Sequence, residues 1–117
     1  MYKRQALCLP APGQGILGLE IRDRDQTTED LLASISCPIA LTTSTAERSF
    51  LAALDGGCHI PAGAYAQIEA EVLNVTGFLA TEKSDGSWQG QRMQVSGPIE
   101  DAAKLGREVA LALKSQA

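Results

Sequence analysis

The sequence predicts an α+β fold for residues 38–117: a three-stranded antiparallel sheet covered by helices, preceded by a strand–helix fragment of another domain. Three observations carry this expectation. Leu73, Val75 and Leu79 alternate at period two within an apolar run over 72–80, the pattern of a strand with one buried face. Asp85-Gly86 is a hairpin signal lying between two strand-like runs. Apolar residues recur at helical spacing before and after the strands, so two helices are available to cover the sheet.

In order along the chain, Leu9-Pro-Ala-Pro-Gly-Gln-Gly15 comes first. Two prolines and two glycines in seven residues preclude a helix or a central strand and specify an extended piece with tight turns. Residues 16–21 read as a short, mostly buried strand, and 22–25 as a charged turn. Thr27 is the expected N-cap of a helix running to about Ser36, with Glu29 and Asp30 in its first turn. Pro38 suits the first position of a second helix, whose stripe is Ala46, Phe50 and Leu54 with Leu51 and Ala53 alongside. Ser44 and Glu47 match a capping box, so a start at Ser44 stays open beside one at Pro38. Gly56-Gly57 would close that helix. Strands follow at 64–68, 72–80 and 89–95, the first two joined by a tight connection at Glu69-Ala-Glu71. Gly97-Pro98 opens a last helix with the stripe Ile99, Ala102, Ala103, Val109, Ala110 and Leu113. The 16–36 segment does not join the sheet and reads as part of a different domain whose remainder is missing.

Composition narrows the function classes. The chain has 117 residues, 44% hydrophobic and 21% charged, the size of one compact domain and too apolar for disorder. No stretch approaches the roughly 20 apolar residues that span a bilayer, and the first ten residues lack the apolar core of a secretory signal. Ten basic against fourteen acidic residues give a net charge of −4. The basic residues are dispersed, which argues against a nucleic-acid or membrane-surface partner. A polyanionic small molecule would have to draw most of its cationic contacts from elsewhere. Cys8, Cys37 and Cys58 are widely spaced, and His59 is the sole histidine, so neither a zinc site nor a disulfide framework is specified. Reduced thiols in a cytosolic protein are the simpler reading.

The feature that stands out chemically is Leu54-Asp-Gly-Gly-Cys-His-Ile-Pro61. Glycines beside Cys58 let the backbone turn and leave the sulfur unshielded, so the thiol can be presented for alkylation. The alternative is a small buried cysteine. A helix C-terminus does not lower a thiol pKa, because its dipole has the wrong sign. A Cys58–His59 nucleophilic pair is weak, since neighbours on an extended chain point to opposite sides. Gly13-Gln-Gly15 lacks the spacing and the lysine of a phosphate loop, and no paired carboxylates are apparent.

Residues 9–15, Ala46-Glu-Arg48 and 54–61, in this order, resemble the porphobilinogen deaminase (hydroxymethylbilane synthase) family, as do Gly63-Ala-Tyr-Ala66, the Asp85-Gly86 hairpin and the final helix. The resemblance runs from about residue 7 to the end and matches only the C-terminal part of a longer, three-domain enzyme. It implies that 1–15 comprise a start unlike the family and an interdomain crossover segment. Residues 16–37 would then be a fragment of a first, periplasmic-binding-protein-like α/β domain, and 38–117 a cofactor-anchoring domain. Met1 to Gln5 look like a translated adapter remnant, so the expectation is a truncated reading frame.

The resemblance further implies an enzyme that condenses four porphobilinogen molecules into hydroxymethylbilane, releasing ammonia at each step, in heme, chlorophyll or cobalamin biosynthesis. Its dipyrromethane cofactor would be held by a thioether to Cys58, with Gln14, Gly13, Gly15 and Gly57 lining the cofactor cleft. Backbone N–H groups of the 13–15 segment could meet the cofactor carboxylates. Arg48 matches a family arginine and is either a structural ion-pair member or a ligand contact. No catalytic residue and no metal site is expected in this stretch. The missing N-terminal domains would carry the catalytic aspartate, leaving the fragment inactive alone. A monomeric, cytoplasmic enzyme is implied. The rival readings are a free-standing small α+β ligand-binding or interaction module with a structural cysteine, and a small cysteine-dependent enzyme.

Overall fold

Two reversals of the chain build the sheet. The computed structural model describes residues 7–55 and 61–116. Within them β1 (Ala62–Glu69), β2 (Val72–Glu82) and β3 (Trp88–Pro98) form one antiparallel sheet in the order β1-β2-β3. The β1–β2 link is a two-residue turn with Ala70 and Glu71 both at positive φ, 47° and 64°. Two left-handed residues match the twist of the flanking strands. The β2–β3 link is closed by Lys83 N–H to Ser87 O at 2.7 Å and Gly86 N–H to Lys83 O at 2.9 Å. Gly86 takes φ 80° there, and Asp85 Oδ1 accepts from the Ser87 N–H at 2.9 Å. The expected meander is therefore present, with each strand longer than read from the sequence.

Period-two alternation puts Ala64 and Ala66 of β1, Leu73, Val75 and Leu79 of β2, and Met93 and Val95 of β3 on one face. Two helices cover it: α2 (Pro38–Ala53) and α3 (Ala102–Gln116). They bring Ala46, Phe50, Ala53, Leu105, Val109, Ala110 and Leu113 into the same core. Gly77 lies under their crossing, where an added Cβ would come within 2.6 Å of Phe50 Cε2. The open-faced sandwich is the observed architecture, and no helix among the described residues is long and apolar enough to cross a membrane.

Several local expectations are corrected. α2 begins at Pro38, not Ser44. The Ser44 hydroxyl donates back to Leu41 O at 3.0 Å and makes no capping box. Thr43 and Thr45 likewise satisfy their hydroxyls on Ile39 O and Leu41 O, at 2.9 and 2.7 Å, so these weak helix formers stay helical. α1 spans Gln26–Ala33, and its N-cap is Asp25, whose Oδ1 accepts from Thr28 N–H at 3.1 Å, rather than Thr27. Gly97-Pro98 ends β3, and a short 3-10 turn, Ile99–Asp101, leads into α3. Ala103 is exposed, while Leu105 and Gly106 take buried places on the α3 stripe. The proposed helix stop at Gly56-Gly57 lies outside the described residues.

The strand expected at 16–21 does not form. Its Leu17 and Leu19 are 93% and 63% exposed, and α1 buries none of its residues. An apolar run becomes a strand only where a neighbouring strand takes up its N–H and C=O groups, and no strand pairs with this one among the described residues.

Candidate functional site

The Leu9–Gly15 segment takes its shape from its own residues. Ala11 O accepts from Gln14 N–H at 3.2 Å, with Pro12 and Gly13 in the middle and Gly13 at φ 73°. Proline fixing the second position and glycine supplying the positive φ at the third make a type II turn. Gly15 is also left-handed, at φ 84°. Among the described residues a Cβ on Gly13 or Gly15 would meet nothing within 4 Å, so glycine is required there by backbone conformation and the described residues leave the space beside the turn open.

This segment lies along the free edge of β1. Pro10 O accepts from Ala64 N–H at 3.0 Å. A Cβ on Gly63 would sit 3.0 Å from both Leu9 Cβ and Pro10 O, so glycine permits the close approach. The next outward N–H on β1, that of Ala66, is taken by Glu47 Oε1 at 2.9 Å. The other oxygen of the same carboxylate, Oε2, accepts from Gly13 N–H at 2.6 Å. A helix side chain thus joins the Pro-Gly-Gln-Gly turn to the sheet edge, which would otherwise present unpaired N–H groups.

Glu47 is only 5% exposed. Burial pushes its carboxyl above the ordinary glutamate range, opposed by the hydrogen bonds from Ala66 and Gly13. With the folded-state pKa above the unfolded value, the native state holds the proton more tightly, so the contribution is fully present below the unfolded pKa and is lost as pH rises through the folded one. The stability difference between the parent chain and Glu47→Gln should therefore shrink from pH 4 towards pH 7, as measured by thermal melts of both. A difference that widens with pH would contradict this assignment.

The structure brings Gly13, Gln14 and Gly15 together and exposes Gln14 and Gly15. Gly13 N–H is engaged by Glu47 and Gln14 N–H by Ala11 O. Cys58, Gly57 and His59 lie outside the described residues. Their described flanks are held: Lys114 Nζ of α3 donates to Asp55 Oδ2 at 2.8 Å and to Ala53 O at 3.4 Å, fixing the end of α2. The Lys114 ammonium holds the Asp55 carboxyl below its usual range. On the far side, Ala80 N–H donates to Pro61 O at 3.0 Å. Arg48 is exposed, shares a shallow open hollow with Thr45, Ser49 and Ala52, and makes no ion pair among the described residues. Cys8 and Cys37 are free, exposed thiols.

Sequence reasoning missed Glu47 as a site residue. The available signal was its position: it directly follows Ala46 and lies three residues before Phe50 on the buried stripe of α2. A carboxylate there needs hydrogen-bond donors brought to it.

Comparison with known proteins places this geometry. The family model described as porphobilinogen deaminase, C-terminal domain, matches residues 41–115. A porphobilinogen deaminase of Clostridium novyi is 42% identical over 109 residues, covering 93% of this chain and 35% of the relative. Those of Maridesulfovibrio salexigens and Geobacter metallireducens are 42% and 40% identical, covering 87% and 97% of this chain and 32% and 34% of theirs. The chain thus spans about a third of the length of the curated relatives it matches. Its sheet, its two covering helices and the segment docked on the sheet edge all lie in a chain that belongs to the porphobilinogen deaminase family.

Proposed function

We propose that this chain is the cofactor-anchoring part of a hydroxymethylbilane synthase, and that Cys58 is the anchor. The observation that carries the reading is the match of the C-terminal-domain model across 41–115, which includes the whole Leu54–Pro61 segment. Cys58 would hold a dipyrromethane group through a thioether, a C–S bond stable enough to survive repeated turnover. That group supplies the pyrrole end onto which four porphobilinogen units are joined, with ammonia leaving at each step. The residues present fit an acidic pyrrole. The open space beside Gly13 and Gly15, the exposed Gln14 carboxamide and the Gly15 N–H, which has no partner among the described residues, offer donors to a carboxylate. Gly57 would give the sulfur room to be reached.

The chain's own part is to bind and orient. Proton transfer at the pyrrole nitrogens, and most of the cationic contacts to substrate, belong to N-terminal domains outside this sequence. The net charge of −4 and the lack of a basic cluster support that division. Residues 38–117 form the anchoring domain and 9–15 the crossover to it. Residues 16–37 belong with the first domain, which accounts for the exposed Leu17, Leu19, Leu31 and Ile35. By itself the fragment is inactive. The full protein is a cytoplasmic monomer acting on porphobilinogen in tetrapyrrole synthesis.

Expressing the full reading frame that carries this chain tests the proposal. Treated with Ehrlich's reagent after denaturation, it should give a pyrrole colour that Cys58→Ser abolishes together with activity. Colour and activity that survive in Cys58→Ser would overturn the anchor role.

A further inference from the structure

The mechanism above leaves Glu47 unused, although it is the one charged side chain counted among the buried residues described. Its two oxygens accept from N–H groups on two different pieces of chain, Gly13 at 2.6 Å and Ala66 at 2.9 Å. No cation pairs with it in any described ion pair. A buried carboxylate whose hydrogen-bond partners are both main-chain N–H groups is placed to hold those two pieces of backbone against each other.

We propose that Glu47 is a positioning residue that latches the Pro12-Gly13-Gln14-Gly15 turn to the β1 edge and so selects which groups of that turn face a ligand. It consumes the Gly13 N–H, and Ala11 O consumes that of Gln14. The donors left without a partner among the described residues are the Gly15 N–H and the Gln14 side-chain amide, both on exposed residues. Of the three residues of this turn expected to line the cofactor, Gln14 and Gly15 are then the contacts, and Gly13 is the attachment point. Naming the cofactor as what the turn faces rests on the reading above, whereas the latch itself does not.

Amide hydrogen exchange on this chain without cofactor tests the latch separately from the Cys58 assignment. In the parent chain Gly13 N–H should exchange well below the rate of an open turn, because Glu47, its one partner among the described residues, holds it. In Glu47→Gln the side chain keeps one accepting oxygen and gains an NH2 that cannot accept, so one of the Gly13 and Ala66 amides should exchange about tenfold faster or more while the other keeps its protection. In Glu47→Ala both should be lost, with the β2–β3 ladder amides less affected. A side chain that merely filled space would leave both amides protected in the isosteric glutamine variant, and that result overturns the proposal. So does a Gly13 amide that exchanges at the open-turn rate in the parent chain.

Discussion

Replacing Gly106 by alanine is expected to destabilise the domain strongly. In an exposed helix the same change stabilises by about 1 kcal/mol, because alanine is the better helix former. Here the sign reverses. An added Cβ would run into the carbonyl oxygen of Ala46 and lie 2.9 Å from its carbonyl carbon and 3.1 Å from Phe50 N. These are backbone atoms in the middle of α2 and cannot rotate away, so the two helices must separate. Overpacking of this kind costs about 1–3 kcal/mol where side chains can adjust, and more where they cannot. We expect about 3 kcal/mol or more. For a domain of this size that lowers the melting temperature by about 12 °C or more, at roughly 4–8 °C per kcal/mol. Thermal denaturation followed by circular dichroism measures it; an unchanged melting temperature would mean that α2 and α3 do not cross at this point.

Phe50→Ala is expected to be comparably severe and to reveal its mechanism through a second site. Phe50 is wholly buried, and its ring lies against the sheet at Gly77. Removing a buried phenylalanine costs about 3–5 kcal/mol through lost transfer energy and the cavity left behind. Gly77→Ala alone is also expected to destabilise, since its Cβ would come within 2.6 Å of Phe50 Cε2 and 2.5 Å of Val109 Cγ1. Together the two changes should cost less than their sum, because the alanine at 77 enters space vacated by the ring. A coupling of about 0.5–3 kcal/mol is the scale for residues in contact. Chemical denaturation of the four proteins in the cycle gives the coupling, and strict additivity would contradict the packing described.

Most of the architecture was legible because local and long-range signals agree. Leu73, Val75 and Leu79 specify which face of β2 is buried, and Asp85-Gly86 specifies where the chain reverses. The β1–β2 turn was less legible in kind, since Ala70 and Glu71 adopt left-handed backbone without the usual asparagine or glycine. Propensity understated α2: threonines at 43 and 45 looked like poor helix residues, yet their hydroxyls bond back to carbonyls of their own helix. Apolar composition overstated the 16–21 strand, because strand formation depends on a partner the local sequence does not contain.

The candidate site shows the same division. The Pro12-Gly13 turn follows from its residues alone. Its docking on β1 does not, because it depends on Glu47 reaching donors 34 and 19 positions away in the chain. A capping-box spacing with Ser44 drew the same glutamate into a local role that the start of α2 at Pro38 excludes.

The most direct measurement is the mass of the tryptic peptide spanning residues 49–83, which contains Cys58 and His59, prepared from the active full-length protein. This peptide should be heavier than its sequence by a two-pyrrole group, with fragmentation locating the addition on the sulfur of Cys58. A peptide of unmodified mass from fully active protein would contradict it.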